Sequence, residues 1–71
     1  MYFVYILKNR NNGSTYVGIT KDLIKRFKEH NYKKPYQIVW YSVFSDKIKA
    51  YRFEKYLKTG SGIAFLRKHL I

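Results

Sequence analysis

No cysteine occurs anywhere in these 71 residues, and that absence removes the usual props of a small fold. A disulfide staple and a thiolate zinc site are both excluded. Two histidines are too few to hold a structural zinc ion. A short chain buries a smaller fraction of its surface than a long one, so its core must come from large side chains. Eight Tyr, five Phe and Trp40 supply them, each able to bury a broad apolar face while a polar edge stays wet. Composition does not shift along the chain, which predicts one domain over residues 1–71. No apolar run approaches the roughly 20 residues of a membrane span, and the first residues carry no signal-peptide pattern. The expectation is a cytoplasmic protein.

Charge narrows the partners. Fifteen Lys or Arg face only Asp22, Glu29, Asp46 and Glu54, a net charge of +11. A small domain soluble for its own sake carries a net charge of about 2–8 in magnitude. The excess points to a polyanion, and nucleic acid is the natural one. An anionic membrane would call for basic residues gathered on one amphipathic helix, whereas here they are spread along the chain, so no membrane partner is expected.

The apolar spacing then sets the order of elements. Tyr2 to Leu7 is aromatic and β-branched and reads as a strand. Lys8 to Ser14 is a turn rich in Asn and Gly, and Thr15 to Ile19 returns as a second strand. Thr20 to His30 switches to helical spacing, with Leu23, Ile24 and Phe27 on one face and Thr20 or Asp22 as cap. Asn31 to Tyr36 is a loop containing Pro35. Ile38 to Phe44 is nearly continuous apolar, the pattern of a strand buried on much of both faces. Ser45 or Asp46 caps a second helix running to about Thr59, with Ala50, Phe53 and Leu57 as its buried stripe. Gly60 would end it in the C′ position, and Ser61 would cap a short last helix anchored by Ala64, Phe65 and Leu66. The order is β-β-α-β-α-α: an α/β fold, three strands flanked by helices.

Scarcity of acids constrains chemistry. Two-metal nucleases need several clustered carboxylates. With Asp22 and Asp46 placed as helix caps, only Glu29 and Glu54 remain. One Mg²⁺ held by a single carboxylate, water and a substrate phosphate is still reasonable chemistry. Glu54 is the better ligand: it lies about 65° from the centre of the Ala50/Phe53/Leu57 stripe, at the border of core and solvent. The bland alternative is an i,i+4 ion pair with Lys58. Arg26 and His30 share another border face. There Arg26 could fork onto a phosphate and His30 could move a proton, or both could be ordinary helix-surface residues. Tyr5 and Tyr16 sit on the hairpin strands. A four-residue loop, Arg10 to Gly13, sets Tyr5 opposite Gly18 and Tyr16 opposite Leu7. The two rings are then diagonal neighbours, roughly 7–8 Å apart. A two-residue Asn12-Gly13 turn keeps the face but separates them further. Gly18, lacking a side chain, would let substrate approach the backbone. Core packing is the alternative for both rings.

Taken in order, Phe3-Val4-Tyr5, Tyr16-Val17-Gly18, Arg26, His30 and Glu54 resemble the motifs of the GIY-YIG nuclease superfamily over nearly the whole chain. Thr20 to His30 is similar to that family's first helix, with its catalytic Arg and nearby His. Ala50 to Lys58 is similar to the helix presenting its metal-binding Glu, and Lys58-Thr59-Gly60-Ser61-Gly62 resembles a stretch of its small stand-alone bacterial members. The resemblance implies a DNA endonuclease of weak sequence specificity, using one Mg²⁺ or Mn²⁺ at Glu54, with a role in DNA repair or recombination. It implies Tyr5, Tyr16, Arg26, His30 and Glu54 as catalytic residues, either tyrosine being the base. Gly18, Lys21, Lys25, Lys28, Lys33, Lys34 and Arg52, together with Arg10, are the candidates for nucleic-acid contact. The substrate would be duplex, single-stranded or branched DNA, with RNA as a second polyanion and a partner protein as a source of specificity. Of three departures, the last two support an alternative, a catalytically degenerate nucleic-acid-binding module, while the first is shared by the small stand-alone members. Phe3 replaces the first motif's Gly. The late Asn has no counterpart nearer than Ser61. The Asn31–Tyr36 loop is short.

Overall fold

The computed structural model of the protein describes residues 1–31 and 35–70, with the backbone alone at residues 30 and 31. It contains β1 (Tyr2–Asn9), β2 (Thr15–Thr20), α1 (Leu23–Asn31), β3 (Tyr36–Phe44), α2 (Lys47–Leu57) and α3 (Gly60–Phe65). A π-helical turn, Leu66–Leu70, continues α3. The expected order β-β-α-β-α-α is therefore the one the chain adopts.

The sheet is antiparallel with the strand order β2-β1-β3, so the first strand is its centre. Val4, Tyr5, Ile6 and Leu7 are all buried because both faces of that strand are covered. Val4 and Ile6 point to the α2 side and join Val17, Ala50, Leu57 and Leu66 in the main core. Tyr5 and Leu7 alternate to the opposite face.

β3, expected to be buried on both faces, is instead an edge strand whose burial alternates, with Tyr41 and Val43 exposed. Its long apolar run owes more to aromatics with a wet edge than to a central position. The pairing slips by one residue between Ile6 and Leu7, which leaves Val39 as the extra residue of a bulge. The slip lets consecutive residues, Val39 and Trp40, both pack against the main core.

The hairpin is closed by hydrogen bonds of 2.8 Å from the Asn9 N–H to the Ser14 carbonyl and from the Gly13 N–H to the Asn9 carbonyl. Asn9 Oδ1 also accepts from the Asn11 N–H, and Gly13 takes φ of 74°, which a residue without Cβ adopts freely. Of the two turns open to the sequence, this is the longer one. The register follows: Tyr5 opposes Gly18, and Leu7 opposes Tyr16.

The helices correct several readings. Asp46 caps α2, accepting from the Ile48 and Lys49 N–H groups. Thr59, not Ser61, caps α3, accepting from the Gly62 N–H at 3.1 Å. Gly60 is the first residue of α3, and no C′ glycine is needed because the chain re-enters a helix directly through an extended Thr59. α3 is anchored by Gly62 and Leu66, while Ala64 and Phe65 are exposed. A Cβ at Gly62 would run into the Tyr56 carbonyl. On α1, Leu23 and Phe27 are half-buried, but Ile24 is 71% exposed. Phe53 of α2 is half-buried and packs its ring against Trp40 and Phe44, with centroids 5.7 and 5.6 Å apart.

Candidate active site

The β1–β2 register builds the first half of the site. Tyr5 and Tyr16 share the α1 side of the sheet as diagonal neighbours, with ring centroids 6.3 Å apart. Tyr5 is 1% exposed and Tyr16 is 38% exposed. One phenol therefore belongs to the interior and the other reaches solvent. A Cβ at Gly18 would collide with the Tyr5 hydroxyl and lie 3.0 Å from the Tyr16 ring. The sequence suggested that Gly18 opens the backbone to substrate. The room it leaves is instead filled by the head of Tyr5, because these two residues stand directly opposite across the ladder.

α1 completes this half. Its start is fixed by Asp22, whose carboxylate accepts from the Lys25 N–H at 3.0 Å while its carbonyl accepts from the Arg26 N–H at 3.1 Å. One turn in, the Arg26 guanidinium donates to the Tyr5 phenol oxygen, and the Tyr5 hydroxyl donates on to Tyr16. Burial is the main cause that pushes the Tyr5 hydroxyl above the usual tyrosine value, and Arg26 opposes this without overcoming it. The hydrogen bond to Tyr5 raises Arg26 in turn. Arg26 Nη1 also donates to Glu29 Oε2 at 3.4 Å, and the Arg26 side chain remains 46% exposed. Three groups thus form one hydrogen-bonded chain, Arg26 to Tyr5 to Tyr16.

Glu54 belongs to the other layer. It lies on α2, which packs its Ala50 and Leu57 on the Val4/Ile6 face of the sheet. Its side chain is 14% exposed, and Glu54 Oε2 accepts from Lys58 Nζ at 2.9 Å. Glu54 borders the core, as its place on the helix wheel predicts, and it forms the i,i+4 pair that is the alternative to a ligand role. The two halves approach each other at the β2 edge. There a cavity of about 290 Å³ is lined by Thr15, Tyr16 and Val17 on the sheet side and by Leu57, Lys58, Ile63 and Leu66 on the helix side. Among the described residues, no three of His, Cys, Asp and Glu gather as a ready-made metal cage.

The basic candidates divide between surfaces. Lys21, Lys25 and Arg26 line a recess of about 260 Å³ with Thr20, Asp22 and Glu29. Lys21 Nζ also sits 5.3 Å from the centre of the Tyr2 ring. Lys28 is exposed on α1, Arg52 on α2, and Arg10 in the hairpin loop. The His30 side chain, Lys33 and Lys34 lie outside the described residues. Glu29, the carboxylate beside Arg26, was missed as a site residue; its i,i+3 spacing from Arg26 was the available signal.

Fold and site together define a small basic α/β domain in which a glycine in one strand admits a buried tyrosine that an arginine grips from the first helix. The chain belongs to the GIY-YIG family, a nuclease family: the GIY-YIG catalytic domain matches residues 1–63. It is similar to two UPF0213 proteins, each 33% identical. One, from Vibrio parahaemolyticus, aligns over 78% of this chain and 59% of its own length. The other, from Staphylococcus saprophyticus, aligns over 84% of this chain and 83% of its own length. The chain thus spans less than two thirds of the Vibrio relative. The solution NMR structure of a UPF0213 protein from Bacillus halodurans superposes with a TM-score of 0.65 at 29% identity, covering 96% of this chain and 84% of the other. No helix among the described residues is long and apolar enough to cross a membrane.

Proposed function

We propose that residues 1–71 act as a metal-dependent DNA endonuclease domain that hydrolyses phosphodiester bonds with one divalent ion and weak sequence preference. The observation that carries this reading is the Arg26–Tyr5–Tyr16 hydrogen-bonded chain, ending on a solvent-reaching phenol in a protein of net charge +11.

Arg26 turns part of its guanidinium to Tyr5 and keeps the rest exposed, so it offers fixed donors to the charge that builds on a phosphate. Tyr16 is the base: it is the tyrosine that a substrate water can reach. Tyr5 stays protonated, because burial raises it, and its hydroxyl supports the Tyr16 oxygen as that oxygen accepts the water's proton. Meanwhile the water oxygen bonds to phosphorus, and the bond from phosphorus to the leaving oxygen breaks. His30 assists proton movement.

The donor set fits one metal ion completed by water and phosphate, not a protein cage. Asp22 and Asp46 serve as helix caps. Both remaining carboxylates are ion-paired, and this reading takes Glu54, held at the core border, as the ligand once Lys58 has left it. A bound Mg²⁺ or Mn²⁺ there would stabilise charge on the phosphate and the leaving oxygen. Lys21, Lys25, Lys28, Lys33, Lys34 and Arg52 make phosphate contacts that position without specifying, so log K falls by about 0.9 per phosphate neutralised as log salt rises. Choice of target falls to DNA shape or to a partner protein, and the cellular setting is DNA repair or recombination in the cytoplasm.

The test incubates the protein with labelled single-stranded, duplex and flap DNA at low salt, with Mg²⁺, Mn²⁺ or EDTA, beside Glu54→Gln. Metal-dependent cleavage that the variant loses while it still binds DNA is the expected result. Binding without cleavage on every substrate would replace this reading with a non-catalytic nucleic-acid-binding module. The Lys58 ammonium already seated on Glu54 is the observation in favour of that module.

A further inference from the structure

The Glu54–Lys58 pair has two features that an ordinary helix-surface pair lacks. Its partners differ in freedom: the Glu54 side chain is 14% exposed, the Lys58 side chain 52%. The carboxylate is held at the core border, while the ammonium rides on a flexible four-carbon stem. Lys58 also has a second environment, because among the described residues it is the only charged one lining the β2-edge cavity that it shares with Tyr16. A phosphate that enters this cavity therefore meets the same cation that occupies Glu54.

We propose that Lys58 is the resident counter-ion of Glu54 and passes to the substrate phosphate, so that a divalent cation loads at Glu54 only when nucleic acid is bound. Lys58 is then a positioning residue. An ammonium 2.9 Å from the carboxylate repels a second cation approaching the same oxygens. A phosphate beside Tyr16 offers that ammonium another anion, and the carboxylate it leaves is free for the metal. The exchange explains how a lone carboxylate in a strongly basic protein avoids binding cations idly. It rests on Glu54 being the metal ligand.

The probe is Mn²⁺ itself, followed by paramagnetic broadening of the backbone amide signals of α2 in NMR spectra. Wild type, Lys58→Met, Lys58→Gln, Lys58→Arg and Glu54→Gln are titrated alone and with a short, nuclease-resistant phosphorothioate DNA. Without DNA, Lys58→Met and Lys58→Gln should broaden at about tenfold less Mn²⁺ than wild type, and Lys58→Arg should behave as wild type. With DNA the difference should vanish. Combining Lys58→Met with Glu54→Gln should abolish the gain. Equal titrations of wild type and both neutral variants without DNA would overturn the exchange, even if Glu54→Gln loses Mn²⁺ in the presence of DNA. If Glu54→Gln leaves the DNA-bound titration unchanged, the metal assignment and the exchange both fall. The same spectra show whether each variant is folded.

Discussion

The two halves of the candidate site are built by different means. Arg26, Tyr5, Gly18 and Tyr16 come from three elements and meet only because the β1–β2 register and the start of α1 are fixed. Glu54 and Lys58 come from one helix and its C-cap, four residues apart. The first half is a product of the tertiary fold, with Tyr5 in the interior. The second is local and needs only a helix. A change to the buried members of the first half should therefore register in stability as well as chemistry, whereas a change to the second should register in chemistry alone.

The sharpest test of that contrast is also the largest effect. Glu54→Gln should lower cleavage by on the order of 10³, the several kcal/mol that a metal supplies to a phosphoryl transition state. It should leave the melting temperature close to wild type, because an i,i+4 ion pair contributes only about 0.2–0.5 kcal/mol. Chemical denaturation of both proteins beside the cleavage assay checks both statements. A Glu54→Gln protein destabilised by more than about 2 kcal/mol would show that this half is structural after all.

Next in size is the split between the tyrosines. Tyr16→Phe removes the proposed base and should slow cleavage by about 10²-fold or more, with little loss of stability, since the Tyr16 hydroxyl lies at a partly exposed position. Tyr5→Phe removes a buried hydroxyl that accepts from Arg26 and donates to Tyr16. It should cost about 1–2 kcal/mol of stability and slow the reaction less. Single-turnover rates with unfolding curves for the two variants decide; equal rates would defeat the assignment of Tyr16 as base.

Two glycines carry the contrast into the backbone. A methyl at Gly18 meets the far end of the Tyr5 side chain, whereas a methyl at Gly62 meets the backbone of Tyr56 and Leu57. Gly18→Ala can be relieved by moving a phenol, at a cost of about 1–3 kcal/mol together with a loss of activity from the misplaced hydrogen bonds. Gly62→Ala has no side chain to displace and must part α3 from α2. It should be the more destabilising of the two, while the cleavage rate of its folded fraction stays near wild type. Melting temperatures and rates per folded molecule separate these outcomes, and the reverse ranking in stability would refute the argument from close approach.

What the sequence discloses about these regions follows the range of the interactions. The shared face of Tyr5 and Tyr16 is legible, because both turns that Asn and Gly allow keep it. The register is not, since the four-residue loop is selected only in the folded hairpin. The helix starts are legible as pairs of candidates, Thr20 or Asp22 and Ser45 or Asp46, because a cap is satisfied within three residues, and the structure selects the aspartate each time. Glu54 is legible as a border residue and as the partner of Lys58, both being properties of a single helix. The position of β3 at the sheet edge is not, since an apolar run says nothing about which neighbours cover it. By residue type Ser61 is a better cap former than Thr59, and the close approach of Gly62 to α2 overrides that preference. The link from Arg26 to Tyr5 spans elements 21 residues apart in sequence, and no local pattern announces it.

The smallest expected effect isolates one group of the tertiary half. Tyr5 is pushed above its usual value of 10.0, mainly by burial. The folded protein therefore keeps a proton there that the unfolded chain loses as pH passes 10. A raised group of this kind gives its full contribution to stability below the unfolded value, and that contribution drains away as pH climbs through the folded one. Stability should fall with rising pH above 10 more steeply in wild type than in Tyr5→Phe, which has no proton to lose at that position. The variant starts lower, because its hydrogen bonds to Arg26 and Tyr16 are gone, but that offset does not depend on pH below 10. Lysine titration lies in the same range and is common to both proteins, so it cancels in the difference between their melting curves from pH 9 to pH 11.5. Parallel curves would mean that Tyr5 ionises as freely when folded as when unfolded. In that case burial would no longer distinguish it from Tyr16 as the base.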